Sequence, residues 1–295
     1  MAYLKLLRPK DWAKNLFLFI PLFFAGDFFQ WNKYPVILLG FLAFSFIASS
    51  IYIINDYRDI EEDKKHPEKS KRPLASGRVS KSAAIGICIL LIVAGFSIAY
   101  FLKPKFLFVV AIYFIINLFY SFGLKTIAIL DVILIAIGFI LRVKAGAVLA
   151  NVGLSEWLTI MVFLLALFMA VGKRRDDVLL KVSSGTSMRK AIEGYNLAFL
   201  DVLLSLICAV IIVAYIMYTT SPESILRMGT YRLYYTSLFV LAGIMRYLQI
   251  IYIDAKSGSP TKILYKDRFI QVCIFLWIVS FYIIIYTKNA IIFNK

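Results

Sequence analysis

Apolar residues in this 295-residue chain come in unbroken runs, without the alternating or helical stripes of half-buried elements. Turn-forming and charged clusters separate nine such runs, at about 16–30, 35–54, 83–102, 106–122, 127–150, 157–172, 198–218, 231–252 and 269–287. Crossing a hydrocarbon layer ~30 Å thick takes roughly 20 apolar residues in a helix. The pattern therefore predicts an all-α, polytopic membrane protein with nine transmembrane helices. No internal repeat stands out and the connecting segments are too short for a soluble domain, so residues 1–295 read as one transmembrane domain.

Composition supports this and adds an orientation. Apolar side chains make up 61% of the chain and charged ones 17%, which excludes a water-soluble globule. The 33 Lys and Arg residues outnumber 17 Asp and Glu, giving a formal charge of +16. With the N-terminus in the cytoplasm, 23 of these cations fall in cytoplasmic segments and 7 in outer ones, counting Arg232 at the edge of its run with the outer set. That bias predicts a cytoplasmic N-terminus. The basic start leads into the first apolar run as a signal sequence would, but the many later runs make it the first transmembrane helix. The cationic excess is divided among loops and interleaved with acids, so the partners expected are anionic headgroups or phosphorylated substrates, and no nucleic acid. Cys88, Cys208 and Cys273 lie far apart in apolar runs and read as packing residues.

Chemistry concentrates after the second run, in Asn55-Asp56-Tyr57-Arg58-Asp59-Ile60-Glu61-Glu62-Asp63. Continued as a helix, this segment places Asn55, Asp56, Asp59 and Asp63 within an arc of about 100°. Hard oxygen ligands so arranged suit Mg²⁺, which keeps waters and completes its shell with phosphate oxygens. A solvated acidic helix end is the plainer alternative. Against it stands the cationic set that follows directly: Lys64, Lys65, His66, Lys69, Lys71, Arg72, Arg78 and Lys81. Acid for metal beside base for phosphate is the make-up of a diphosphate site. His66 is the single histidine, which excludes a His-dependent triad or zinc cluster and leaves its own role open between phosphate contact and loop residue. Arg142 is an intramembrane charge on one helix face with Gly138 and Gly146, and is expected to contact phosphate, with a structural ion pair as the alternative. Lys144 points away and is expected to snorkel outward. Asp131, opening the same helix, is adequately explained by the helix dipole. Lys14, Lys71, Arg72 and Lys125 are candidate phosphate clamps that topology alone would also explain. Arg189, Lys190, Glu193 and Tyr195 form a polar cluster that either covers the site or faces solvent.

These residues resemble the UbiA superfamily of intramembrane transferases, whose first motif reads N-D-x-x-D-x-x-x-D after the second helix. Asn55, Asp56, Asp59 and Asp63 fit it, as do His66-Pro67, the run from Lys71 to Gly77, and Tyr120-Ser121 with Leu124-Lys125. The resemblance implies a UbiA-like bundle around a central cavity. Most members move a prenyl group from a prenyl diphosphate to an aromatic acceptor and carry a second acidic motif after the sixth helix. Here that position reads Gly172-Lys173-Arg174-Arg175-Asp176-Asp177, with cations in place of part of the acid set. This is similar to the phosphoribosyl-transferring branch, which has a Lys-Arg pair and an acid three residues later. Arg8-Pro9, Trp12, Lys14-Asn15, Leu141-Arg142, Ala145-Gly146 and Asp267-Arg268 also resemble that branch, whereas Arg175, Asp176 and the segment Ser257-Gly258-Ser259-Pro260 depart from it.

The branch implies Mg²⁺-dependent transfer of 5-phosphoribose from phosphoribosyl diphosphate to a polyprenyl phosphate, releasing diphosphate, for cell-envelope glycolipid precursors. It implies a bacterial plasma membrane protein with its active site facing the cytoplasm, and leaves room for a homo-oligomer. Prenyl transfer to an aromatic acceptor, in a quinone or haem pathway, is the alternative. Implied metal ligands are Asp56, Asp59, Asp63 and Asp177, with Lys173 beside them in catalysis. Implied substrate contacts are Lys14, Asn15, Asn55, Lys71, Arg72, Tyr120, Lys125, Arg142 and Arg174.

Overall fold

A computed structural model describes residues 2–65, 69–184, 190–253 and 260–286. His66, Pro67, Arg189 and Ser257–Ser259 lie outside them, as does the side chain of Lys190. The described residues form helices and turns, with no strand among them. Eight helices are long and apolar enough to cross a membrane: α1 (Tyr34–Arg58), α2 (Lys81–Leu102), α3 (Pro104–Phe122), α4 (Leu130–Ala150), α5 (Glu156–Ser184), α6 (Leu197–Thr220), α7 (Ser237–Tyr252, which reaches that length with the 3₁₀ turn Arg232–Thr236 before it) and α8 (Arg268–Tyr286).

They match eight of the nine expected runs. The first run differs: its residues form a 3₁₀ helix, Pro9–Phe19, and a five-residue α-helix, Ile20–Phe24, that ends in a turn with Gly26 at φ 77°. Pro21 lacks the N–H a long α-helix needs there. Asn15 is also drawn sideways, donating from Nδ2 to Ser45 Oγ at 2.9 Å.

Local sequence sets the helix ends. The Ser80 hydroxyl caps α2 by accepting from Ala83 N–H, and the Asn196 side chain caps α6 by accepting from Phe199 N–H. Lys103, forced extended by the proline after it, separates α2 from α3. Gly123, at φ 149°, stops α3.

The helices gather into two compact units, Met1–Lys125 with Gly138–Leu154, and Thr126–Ile137 with Ser155–Lys295. In the first, α1 packs chiefly on α2. Its buried side is rich in small residues, including Ala43, Ser45, Ala48, Ser49 and Ser50. Lipid tails are as apolar as leucine, so close approach and polar bonds hold such helices together. The Trp12 indole N–H donates to Ser49 Oγ, which donates in turn to Leu7 O. In the second unit α5 packs on α6 around Val171, Leu200, Leu204, Cys208 and Tyr247.

Candidate active site

The acidic segment is built on the end of α1. The helix closes at Arg58, and Asp59, at φ −91° and ψ 10°, starts a short second helix, Ile60–Lys65. Helical bonding persists through the junction, with Asp59 N–H donating to Asn55 O and Asp63 N–H to Asp59 O. That register keeps Asn55, Asp59 and Asp63 one turn apart. Asp56 and Asp63 are each 2% exposed.

Each of the three aspartates meets a cation from a different part of the unit. Arg8 Nη2 donates to both Asp56 oxygens, at 2.5 and 2.8 Å. Arg72 Nη1 donates to Asp56 Oδ1 at 3.0 Å and to Asp63 Oδ2 at 2.7 Å. Lys125 Nζ donates to Asp59 at 2.6 and 2.8 Å and to Asn55 Oδ1 at 3.1 Å. Arg58 turns away, donating to Ser121 O. Arg8 holds its place from the left-handed region, at φ 51°, a conformation that costs of order 1–3 kcal/mol and persists only where surroundings over-determine it.

Among the described residues, no three His, Cys, Asp or Glu side chains converge tightly enough to hold a metal ion by themselves. The donor chemistry nonetheless fits Mg²⁺. Two buried carboxylates reach a single positive nitrogen of Arg72, and hard oxygens that share one positive centre are the ligands this ion takes alongside phosphate and water.

Deeper in the same unit lies Arg142, 5% exposed. Its Nε donates to Asn15 Oδ1 at 2.8 Å, Nη1 to Gly138 O at 2.9 Å and Nη2 to the Tyr113 hydroxyl at 2.8 Å. The rings of Phe44, Tyr113 and Phe139 surround the guanidinium at 4.7 to 5.4 Å. Its hydrogen-bond partners and the surrounding rings are all neutral, and no carboxylate pairs with it among the described residues. Gly146, one turn on, has Leu18 O 1.9 Å from where a Cβ would stand. Glycine there admits the backbone that carries Asn15. Lys144 is exposed, as the sequence predicts. Tyr52 links this region to the acids, with Arg8 and Lys14 over its ring at 5.0 and 5.9 Å. Burial works to lower the Lys14 pKa, but Tyr52 and Asp11 outweigh it, so the ammonium is raised above its ordinary value.

The second unit holds a separate polar cluster. Lys173, Arg174 and Asp177 do continue α5 as a helix, but Arg174 faces inward at 1% exposure. Its Nε donates to Asp131 Oδ2 at 2.5 Å and its Nη1 to Asp177 Oδ2 at 2.9 Å. Asp131, fully buried, also accepts from the Tyr195 hydroxyl at 2.7 Å. A helix-dipole role is therefore too small an account of Asp131, and Arg174 is buried between the Asp131 and Asp177 carboxylates. Lys173 stays exposed. Arg175 pairs with Asp201, and Arg246 with Asp267.

The structure thus brings Asn55, Asp56, Asp59, Asp63, Arg72 and Lys125 together, joins Asn15 to Arg142, and leaves Lys71 exposed and Tyr120 half-buried. Sequence reasoning missed Arg8 as the partner of Asp56, Tyr113 as a partner of Arg142, and the Asp131–Arg174 pair. For the last, the available signal was two ionisable residues at the ends of apolar runs, 43 positions apart.

Residues 16–265 match the UbiA prenyltransferase family. The chain belongs to that family. A decaprenyl-phosphate phosphoribosyltransferase of Mycolicibacterium smegmatis is 34% identical over 286 residues, covering 93% of this chain and 89% of the relative. One from Corynebacterium glutamicum is 30% identical over 289 residues, covering 96% and 86%. Among solved structures, a UbiA homologue from Archaeoglobus fulgidus bound to DMAPP and Mg²⁺ shares the fold with a TM-score of 0.72. It is 22% identical and covers 97% of this chain and 99% of its own.

Proposed function

We propose that this membrane enzyme transfers 5-phosphoribose from phosphoribosyl diphosphate to the phosphate of a polyprenyl lipid, releasing diphosphate. The observation that carries the reading is the similarity to decaprenyl-phosphate phosphoribosyltransferases through about nine-tenths of both chains. The chemistry of the residues agrees with it. The reaction gathers a diphosphate, a 5-phosphate and a lipid phosphate, and the chain supplies Arg8, Arg72, Lys125, Lys14 and Lys173 in and around its acidic segments and Arg142 deeper in the first unit.

Asp56, Asp59 and Asp63, with Asn55, would hold Mg²⁺ in the first unit, and Asp177 would be the metal-ligating acid of the second. Held by these residues, Mg²⁺ would supply positive charge against the departing diphosphate. Arg72 and Lys125, already seated among the carboxylates, bind the diphosphate oxygens from the protein side. Asn15, Lys71 and Tyr120 complete the substrate contacts. The bond that breaks joins the anomeric carbon to the diphosphate oxygen, and the bond that forms joins that carbon to a lipid phosphate oxygen. The nucleophile is already ionised and needs no general base, so the lack of a suitable histidine costs the reaction nothing. Direct displacement inverts the anomeric centre. The site faces the cytoplasm of a bacterial plasma membrane.

The test is to incubate purified protein with Mg²⁺, labelled phosphoribosyl diphosphate and polyprenyl phosphate. A labelled lipid is the expected product. Turnover of a prenyl diphosphate with an aromatic acid, and no labelled lipid, would overturn the assignment in favour of prenyl transfer.

A further inference from the structure

The second unit contains an ion pair that stability does not explain. Asp131 and Arg174 are 0% and 1% exposed, and a pair taken so far out of water gives little or no net stability compared with apolar side chains of the same volume. What such a pair does provide is direction. A guanidinium is a rigid planar fork, so fixing Nε fixes where Nη1 points. Here Nε is bound to Asp131 Oδ2 and Nη1 points at Asp177 Oδ2. On an exposed helix an Arg–Asp pair three residues apart is worth only about 0.2–0.5 kcal/mol and would not hold one geometry.

Asp131 is itself over-determined. Its Oδ1 accepts from the Tyr195 hydroxyl at 2.7 Å, and that hydroxyl accepts from Ile129 N–H at 2.6 Å. Burial, and then the bond to the carboxylate, raise the Tyr195 phenol above its ordinary value, so it stays a donor. Ile129 adopts φ 69°, a conformation that a β-branched residue strongly avoids. Gly194 packs so closely that a Cβ would stand 2.6 Å from Ala128 Cβ. The turn Lys190–Gly194 is thereby clamped on the start of α4, with the Tyr195 hydroxyl as its pin. Asp177, 15% exposed, is reached by Arg174 through Oδ2 alone among the described residues, which leaves Oδ1 for another ligand.

We infer that Asp131, pinned by Tyr195, is a positioning residue that acts through Arg174 to aim the Asp177 carboxylate at its metal. This rests on the reading of Asp177 as a metal ligand. Partners that orient a ligating carboxylate typically change metal affinity 10–100-fold when removed.

The test measures Mn²⁺ binding by electron paramagnetic resonance on the full chain in detergent, with inorganic pyrophosphate present, and in parallel the Mg²⁺ dependence of transfer. Asp177→Asn defines the ion concerned. Asp131→Asn, which keeps the shape and loses the charge, should weaken the same ion about 10-fold and raise the Mg²⁺ requirement, with the KM for polyprenyl phosphate unchanged. Tyr195→Phe should shift both in the same direction by less, and it decides the matter if Asp131→Asn fails to fold. Native Mn²⁺ affinity in the folded Asp131 and Tyr195 variants, alongside weakened binding in Asp177→Asn, would overturn the inference. Native affinity in Asp177→Asn would instead overturn the reading of Asp177 on which it rests.

Discussion

The carboxylates of this protein gain their character from their partners. Asp56, Asp59 and Asp63 lie one turn apart along a bonded helical path, yet each meets a cation brought from elsewhere: Arg8 and Arg72 for Asp56, Lys125 for Asp59, Arg72 for Asp63. A carboxylate and its neutral amide have the same shape, so exchanging one for the other isolates charge. We predict that Asp59→Asn and Asp63→Asn each reduce kcat by about 100-fold or more, the loss typical when one preorganised electrostatic group is removed. Both variants should elute as folded protein in detergent. Full activity of both at low Mg²⁺ would rule out the metal assignment. Asp63 is the more demanding case, because its buried carboxylate shares Arg72 with Asp56 and its replacement leaves that guanidinium with one acid in place of two.

At the scale of elements, glycine positions decide how closely segments approach. Gly146 in α4 lies against the backbone of Leu18, where a Cβ would stand 1.9 Å from the carbonyl oxygen, and Gly95 in α2 chiefly against the side chain of Ile47, with Ala43 O farther off at 3.1 Å. A backbone carbonyl cannot rotate out of the way as a side chain can. Gly146→Ala is therefore expected to destabilise by about 1–3 kcal/mol, in the range of an overpacked core, and Gly95→Ala by less. Thermal unfolding in detergent should show the larger fall in Tm for Gly146→Ala, and the reverse order would refute the close-approach argument. The same contact carries Asn15 to Arg142, so Gly146→Ala should also weaken substrate binding. The segment Pro9–Phe19 shows why the first apolar run misleads. Hydropathy registers its Leu and Phe residues, while Pro21 and the sideways bond of Asn15 decide its geometry.

For the whole molecule, charge asymmetry fixes the expected orientation. Cys88, Cys208 and Cys273 are buried, so a cysteine placed on the surface can report its side. Ser76→Cys, before α2, should react with a membrane-impermeant maleimide from the cytoplasm, and Asn151→Cys, after α4, from the other face. Labelling from the opposite sides would invert the topology. Much of the fold was legible without coordinates, because crossing a hydrocarbon layer demands apolar runs of a set length and eight of nine such runs are long helices. The acidic segment was legible for a similar reason, since Asn55, Asp56, Asp59 and Asp63 are close in sequence and their spacing is helical. Asp131 and Arg174 were read separately because nothing in a linear chain pairs residues 43 positions apart. The sequence alone determined the membrane class, the helix positions and the donor chemistry of the acids, all of which follow from local periodicity and residue type. Only the tertiary structure decided that Arg174 is buried against Asp131, that Arg142 is ringed by neutral groups, and that Arg8 reaches Asp56. Those facts depend on which helix faces meet, and packing settles that.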